Sequence, residues 1–343
     1  MALISVIIPC YNVSAYIDRC LTTVTSQTIG VDALEIICID DASTDDTWEK
    51  LQAWEKRYPN NVMLIHCDIN GRQGRARNIG LQYATAPWVN FMDSDDWIEL
   101  DFFEKLYGVT LEKECDMVIC QAERDFSKDL TYFKDRSTGK GSRWLNIDTV
   151  EKRRISIVLK SIAYLLCTKL IRTSLLKDND IVFPEYLTYE DTYWDTLMHL
   201  YTSKVFILEE KLYHYFVNEQ STVLKTASDH HVDLLTVQSR QWEECRRRGF
   251  FEEYREALEY DFLHVCYLGF LKIIVFRYPE PSYSHFLLLK EFVTSRIPDY
   301  RKNYYIQKIE QPDFYKILFE ALLVPMNRNE FMEFAENIRR IGL

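Results

Sequence analysis

Within the first hundred residues, four short apolar, β-prone runs (residues 3–8, 34–39, 62–66 and 88–92) are each separated from the next by a stretch long enough for a helix. No other feature of the chain limits its fold so tightly. Parallel strands cannot be joined by tight turns and need a crossover, so this alternation predicts βαβ units and a mostly parallel sheet. The intervening stretches carry the matching signals. Ile17, Cys20, Leu21 and Val24 recur at helical spacing within 13–28, Ser43 or Thr44 can cap a helix running to about Tyr58 with Asp45 and Asp46 in its first turn, and 74–83 is helical. Three of the strands run into polar residues, at 9–12, 40–41 and 93–96. In open α/β sheets ligands bind beyond the carboxyl ends of strands, so these three segments are expected to converge on one crevice.

After residue 100 the pattern predicts a helix over 100–116, a strand over 117–121 and a polar surface loop or hairpin over 122–146. A helix follows over 147–159, then a strand-to-helix passage over 168–176. Glu190 and Asp191 open an aromatic helix reaching Tyr201, and 205–215 is strand-like. Beyond Ser221 the alternation stops and helices are predicted over 229–248, 251–277 and 282–296, with shorter ones to 343. The expected organisation is an α/β domain over 1–222 and a helical domain over 223–343, with the boundary near 222–228.

Composition narrows the function classes. With 47% hydrophobic and 14% aromatic residues the chain can offset the entropy of folding, and a net charge of −11 argues against a general nucleic-acid surface. The nine cysteines form no CxxC pair, which suits buried free thiols in a reducing compartment. Residues 3–9 are too short for a signal peptide, and no run approaches the ~20 apolar residues of a spanning helix. A cytoplasmic protein is expected, with peripheral contact at the inner face of a membrane left open. The apolar stretch 267–276 suits core or a docking face, and the helical third suits an acceptor wall, a homo-oligomer surface or membrane docking.

The acids carry the chemistry. Asp93, Ser94, Asp95 and Asp96 follow the apolar strand directly, and their hard oxygens suit Mn2+ or Mg2+ with open positions for phosphate, although a capped helix start would use the same residues. Asp40 and Asp41 form a second acidic strand end, able to accept from a nucleobase or ribose or simply to cap a helix. Residues 71–80, with Gly71, Gly74 and Gly80 among Arg72, Arg75 and Arg77, suit phosphate or base contact or a glycine turn into a helix. Glu190 and Asp191 could supply a general base or initiate a helix, and His214 could be a metal ligand, a phosphate donor or a packed strand histidine.

Taken together, Ser5-Val6-Ile7-Ile8-Pro9-Cys10-Tyr11-Asn12, Asp40 to Asp45, 74–80, Asp93 to Asp96 and Glu190-Asp191 resemble the family 2 inverting glycosyltransferases of the GT-A fold, over residues 3–222. The resemblance implies a Rossmann-like, nucleotide-diphospho-sugar transferase domain. Pro9, Tyr11 and Asn12 would wall the nucleotide base, and Asp41 would contact it. Arg75, Arg77 and Asn78 would serve the base or diphosphate. Asp93 and Ser94 would lie at the donor, Asp95 would ligate Mn2+ or Mg2+ with Asp96 in support, and Asp191 would be the catalytic base.

Many members carry an arginine near Phe216 that this chain lacks, which leaves His214, Asn218 or Ser221 for the diphosphate. The expected reaction moves a sugar from a nucleotide-diphosphate donor, a UDP-sugar foremost, to a hydroxyl of a glycan, lipid-linked or cell-surface polymer acceptor. Two rivals stand beside it: a catalytically silent sugar-binding module of the same fold, and a sugar nucleotidyltransferase. The second would need a glycine-rich loop where Pro9-Cys10-Tyr11-Asn12 stands.

Overall fold

The computed structural model describes residues 1–217, 226 and 228–341. Strands β1 (Ile4–Cys10), β2 (Leu34–Asp40), β3 (Val62–His66) and β4 (Trp88–Phe91) pair in parallel in the order β3-β2-β1-β4, with Ile4 opposite both Leu34 and Trp88. All seven residues of β1 are buried, as expected of a strand covered on both faces. The crossovers are α1 (Ile17–Thr25), α2 (Thr47–Arg57) and α3 (Arg72–Tyr83). The predicted stripe of α1, Ile17, Cys20, Leu21 and Val24, packs into one core with Val6, Ile8 and Cys38. On α3, Gly80 allows close approach to the sheet, since a Cβ there would lie 2.4 Å from Ile7 Cγ2.

The chain continues through β5 (Trp97–Ile98), α4 (Phe102–Glu112), β6 (Met117–Asp125), β7 (Arg143–Asn146), α5 (Val150–Leu159), β8 (Lys169–Arg172), α6 (Thr173–Lys177), α7 (Glu190–Tyr201) and β9 (Lys204–Phe216). The nine-stranded sheet extends as β4-β8-β6-β9-β5, with β7 also on β9. Strands β6 and β9 run parallel, whereas β8, β5 and β7 are antiparallel to their neighbours. The α/β class expected from the sequence is thus observed, with the uniformly parallel pairing confined to the first four strands. The segment expected as loop or hairpin is partly sheet: β6 reaches Asp125 and β7 forms at Arg143–Asn146 because the 13-residue β9 offers both a long edge.

Two compact units emerge, residues 1–153 with 162–218, and residues 154–161 with 219–343. In the second unit, the Lys160 ammonium lies 2.6 Å from Asp261, and Arg154 donates to the Glu253 carbonyl at 2.6 and 3.0 Å. That unit is helical, comprising α8 (Asp233–Arg247), α9 (Phe251–Phe262), α10 (Gly269–Phe276), α11 (Tyr283–Thr294), α12 (Tyr304–Lys308), α13 (Asp313–Leu323) and α14 (Arg328–Ile341). The apolar stretch 267–276 forms its core: Tyr267, Phe270, Leu271, Ile274 and Val275 are buried, and the Tyr267 hydroxyl donates to the Leu318 carbonyl at 2.6 Å. Among the described residues no helix is long and apolar enough to cross a membrane. All nine cysteines are free and buried.

Candidate functional site

The first two polar strand ends are laced together. Asn12, in the left-handed region at φ 53°, donates its N–H to Ser43 Oγ at 3.0 Å and accepts from the Thr44 N–H at 2.8 Å. Pro9 is buried in β1, while Tyr11 stands 47% exposed at its end. Both Asp41 carboxylate oxygens accept from the Gly71 N–H, at 2.9 and 3.0 Å, so this acid fastens the start of α3 to the end of β2. Burial raises its pKa against the lowering pull of the Gly71 and Arg72 N–H groups and of Arg75, whose guanidinium is 3.8 Å away.

Helix α3 turns Arg75 and Arg77 to different sides, since two residues rotate by about 200° around a helix. Arg75 donates to the Ile69 carbonyl at 3.1 Å and lies 6.0 Å from the Tyr186 ring. Arg77 is buried, with Nη1 2.5 Å from Glu190 Oε1 and Nη2 3.0 Å from Asp93 Oδ1. Burial works against its charge, but Glu190, Asp93 and Asp191 outweigh that cost and raise its pKa. Asn78 brackets the backbone of Phe183, donating to its carbonyl at 2.9 Å and accepting from its N–H at 2.8 Å. A Cβ on Gly74 would stand 2.2 Å from the Pro184 carbonyl, so only glycine permits this packing.

The acidic turn leaves β4 with divided duties. Asp93 remains 27% exposed at its side chain. Asp96 is buried and accepts from the Tyr213 hydroxyl at 2.6 Å and the Phe216 N–H at 2.7 Å, which anchors the turn to the end of β9. Burial, then the charges of Asp95 and Asp93, push its pKa well up. Arg19 of α1 donates to the Asp95 carbonyl at 2.8 Å, with its guanidinium 3.8 Å from the Trp97 ring and 4.6 Å from that of Phe216. Ser94 is buried within the turn. Oxygens of Asp93 and Asp96 and the Cys167 sulfur lie within 4.8 Å of one another. Burial drives the Cys167 thiol pKa well up, which disfavours the thiolate a metal needs, and both Asp96 oxygens are engaged. The donors that fit a hard divalent cation are therefore the more accessible carboxylates of Asp93 and Asp95.

Asp191 sits in the first turn of α7, entered through Tyr189 in the left-handed region at φ 66°. Its Oδ1 accepts from the Thr192 N–H at 3.0 Å. Burial, then the charge of Glu190, raises its pKa to about 7, with Arg77 pulling the other way. Because Arg77 binds both Glu190 and Asp93, the first turn of α7 and the acidic turn lie one guanidinium apart. A carboxyl poised near neutrality beside acids at a strand end suits proton removal next to a bound phosphate ester.

The sequence pattern of glycosyl transferase family 2 matches residues 5–179, just over half the chain. The chain belongs to glycosyl transferase family 2. It is 28% identical over 229 residues to the poly(ribitol-phosphate) beta-glucosyltransferase of Bacillus spizizenii, covering 65% of this chain and 34% of that protein. It is likewise 28% identical over 225 residues to the poly(ribitol-phosphate) beta-N-acetylglucosaminyltransferase TarS of Staphylococcus aureus, covering 65% and 37%. The chain thus spans about a third of the length of these relatives. In fold it resembles S. aureus TarS 1-349, crystallised with UDP-GlcNAc, with a TM-score of 0.57 and 22% identity over 94% of this chain and 79% of that one.

In this member of glycosyl transferase family 2, the expected site residues differ in how far the protein itself engages them. His214 is not available to a metal: it is fully buried, its Nδ1 faces Asp125 Oδ2 at 2.9 Å and its Nε2 faces Glu99 Oε1 at 3.0 Å, and it is stacked between Trp97 and Phe133. Arg77 and Asn78, expected at the donor, also tie the site together through hydrogen bonds to Glu190, Asp93 and Phe183. Asn218 and Ser221 lie outside the described residues. Nothing local marks Arg19, Cys167 or Tyr213, whose roles depend on partners 71 to 120 residues away.

Proposed function

We propose that this chain transfers a sugar from a UDP-sugar to a hydroxyl of a glycan or cell-surface polymer, lipid-linked or free, with inversion at the anomeric carbon. The observation that carries the reading is the half-buried Asp191 carboxyl, raised to about 7, beside Glu190, which Arg77 joins to the acidic turn at Asp93. Asp191 takes the proton of the acceptor hydroxyl, whose oxygen forms the new bond to the anomeric carbon from the side opposite the diphosphate. The bond from that carbon to the diphosphate oxygen breaks, and UDP leaves. Asp95 and Asp93 would hold Mn2+ or Mg2+, whose chemistry when bound is to neutralise charge on the departing diphosphate. Pro9, Tyr11 and Asp41 form the wall for the base, with Arg75 beside it.

Support for the donor comes from the UDP-GlcNAc complex of the TarS fold relative, and support for a polymer acceptor from the names of the two relatives. The test is product analysis. With Mn2+ and a panel of UDP-, GDP-, CMP- and dTDP-sugars, UDP is the expected product, formed slowly with water as acceptor and faster with a polymer such as poly(ribitol phosphate). In a parallel incubation with UTP and a sugar 1-phosphate, formation of UDP-sugar with release of pyrophosphate would instead make the protein a nucleotidyltransferase. Failure to release either product, with donor bound, would make it a silent binding module.

A further inference from the structure

Arg19 lies beside the buried stripe of α1, a place from which an arginine ordinarily reaches into water. Here it is held instead. Its Nη2 donates to the Asp95 carbonyl at 2.8 Å and its Nη1 to the Ser127 carbonyl at 2.9 Å, while the cation lies 3.8 Å from the centre of the Trp97 ring and 4.6 Å from that of Phe216. The next residue, Cys20, brings its sulfur 3.9 Å from the Asp93 carbonyl, so α1 meets the acidic turn at both Asp93 and Asp95. The turn itself is closed by the Asp96 N–H donating to the Asp93 carbonyl at 3.2 Å, and β9 holds its far end through Tyr213 and Phe216. Trp97 is fixed in turn, donating from Nε1 to the Thr131 carbonyl at 2.7 Å and stacking on His214. A planar guanidinium can donate in two directions and stack on a ring at once, which a lysine cannot.

We propose that Arg19 is a positioning residue for the divalent metal: it fixes the Asp95 peptide between α1 and the Ser127 segment, so that the Asp95 carboxylate keeps one orientation for the cation. The role rests on Asp95 holding that metal. Groups that hydrogen-bond around a ligand set its orientation, and a hard cation with a demanding geometry is sensitive to it. Arg19 is poorly placed to be a counter-charge for the diphosphate, since both Nη atoms already donate to carbonyls and its cation lies against Trp97. By charge alone Arg19 opposes a nearby divalent cation, whereas by geometry it favours one. The two effects have opposite signs, and that separates them.

Metal binding is read directly, by titrating the protein with Mn2+ in the presence of UDP and following the electron paramagnetic resonance signal of free Mn2+. The variants are Arg19→Met, Arg19→Lys, Asp95→Ala and the double variant Arg19→Met with Asp95→Ala. Arg19→Met should weaken Mn2+ binding about tenfold, although loss of a positive charge would by itself tighten it. Arg19→Lys keeps the charge but cannot span both carbonyls, so a smaller loss of the same sign is expected. In the Asp95→Ala background Arg19→Met should cause no further loss, because the ligand it positions is gone, whereas a general loosening of the fold would weaken both backgrounds alike. Metal-free UDP affinity, measured by calorimetry, should be the same in Arg19→Met as in the parent. Unchanged or tighter Mn2+ binding in Arg19→Met, an equal further loss in the Asp95→Ala background, or weaker metal-free UDP binding would overturn the proposal. Should Arg19→Met not fold, Arg19→Lys decides, and parent-like Mn2+ binding there refutes it. Parent-like Mn2+ binding in Asp95→Ala refutes the metal role of Asp95 itself, whereas a loss in Asp95→Ala with none in Arg19→Met refutes only that of Arg19.

Discussion

Arg77 holds two carboxylates with one guanidinium, and the cost of losing it follows from what it would leave behind. Arg77→Met strands the buried Glu190 and removes the partner of Asp93, so destabilisation of about 3–5 kcal/mol is expected in urea unfolding. Asp95 differs in kind. Asp95→Ala should leave the unfolding midpoint within the range of ordinary surface changes while raising the Mn2+ concentration needed for half-maximal UDP release at least tenfold. His214→Ala separates the two kinds of residue most clearly. It leaves Glu99 and Asp125 facing a gap between Trp97 and Phe133, so about 3 kcal/mol of stability should go while the half-maximal Mn2+ concentration stays put. A shift in that concentration with stability retained would return His214 to the metal.

The elements carry the site by close approach. Helix α3 reaches Phe183 and Pro184 through Gly74, and Gly74→Ala should cost about 2 kcal/mol because the contact is with a backbone carbonyl that no side-chain rotation relieves. An unchanged melting temperature would show that α3 can shift without loss. This scale also shows what the sequence could and could not reveal. The strand ends before Asp41 and Asp93 were legible because an apolar run stopped abruptly at acids. The division between Arg75 and Arg77 was legible in principle from helical rotation, yet three arginines in one glycine-rich stretch resembled a single phosphate cradle. The partners of His214 lie 89 and 115 residues away, so nothing local distinguishes a packed histidine from a ligand.

For the molecule as a whole, the parallel first half was readable from periodicity, whereas the order in which β8, β6, β9 and β5 join it depends on long-range pairing that leaves no local mark. The transfer of residues 154–161 to the helical unit is of the same kind. Ligand linkage offers a readout on the intact protein. A ligand at a hundred times its Kd adds about 2.7 kcal/mol to stability, so UDP with Mn2+ should raise the melting temperature by several degrees and GDP or CMP by less. Equal shifts for all would contradict a uridine-selective base wall at Tyr11 and Asp41. The central claim is that Asp191 removes the acceptor proton, and Asp191→Asn tests it most directly. Calorimetry should show UDP binding within about twofold of the parent protein while UDP release from the UDP-sugar falls by about a hundredfold or more. Near-normal turnover with intact binding would contradict the account.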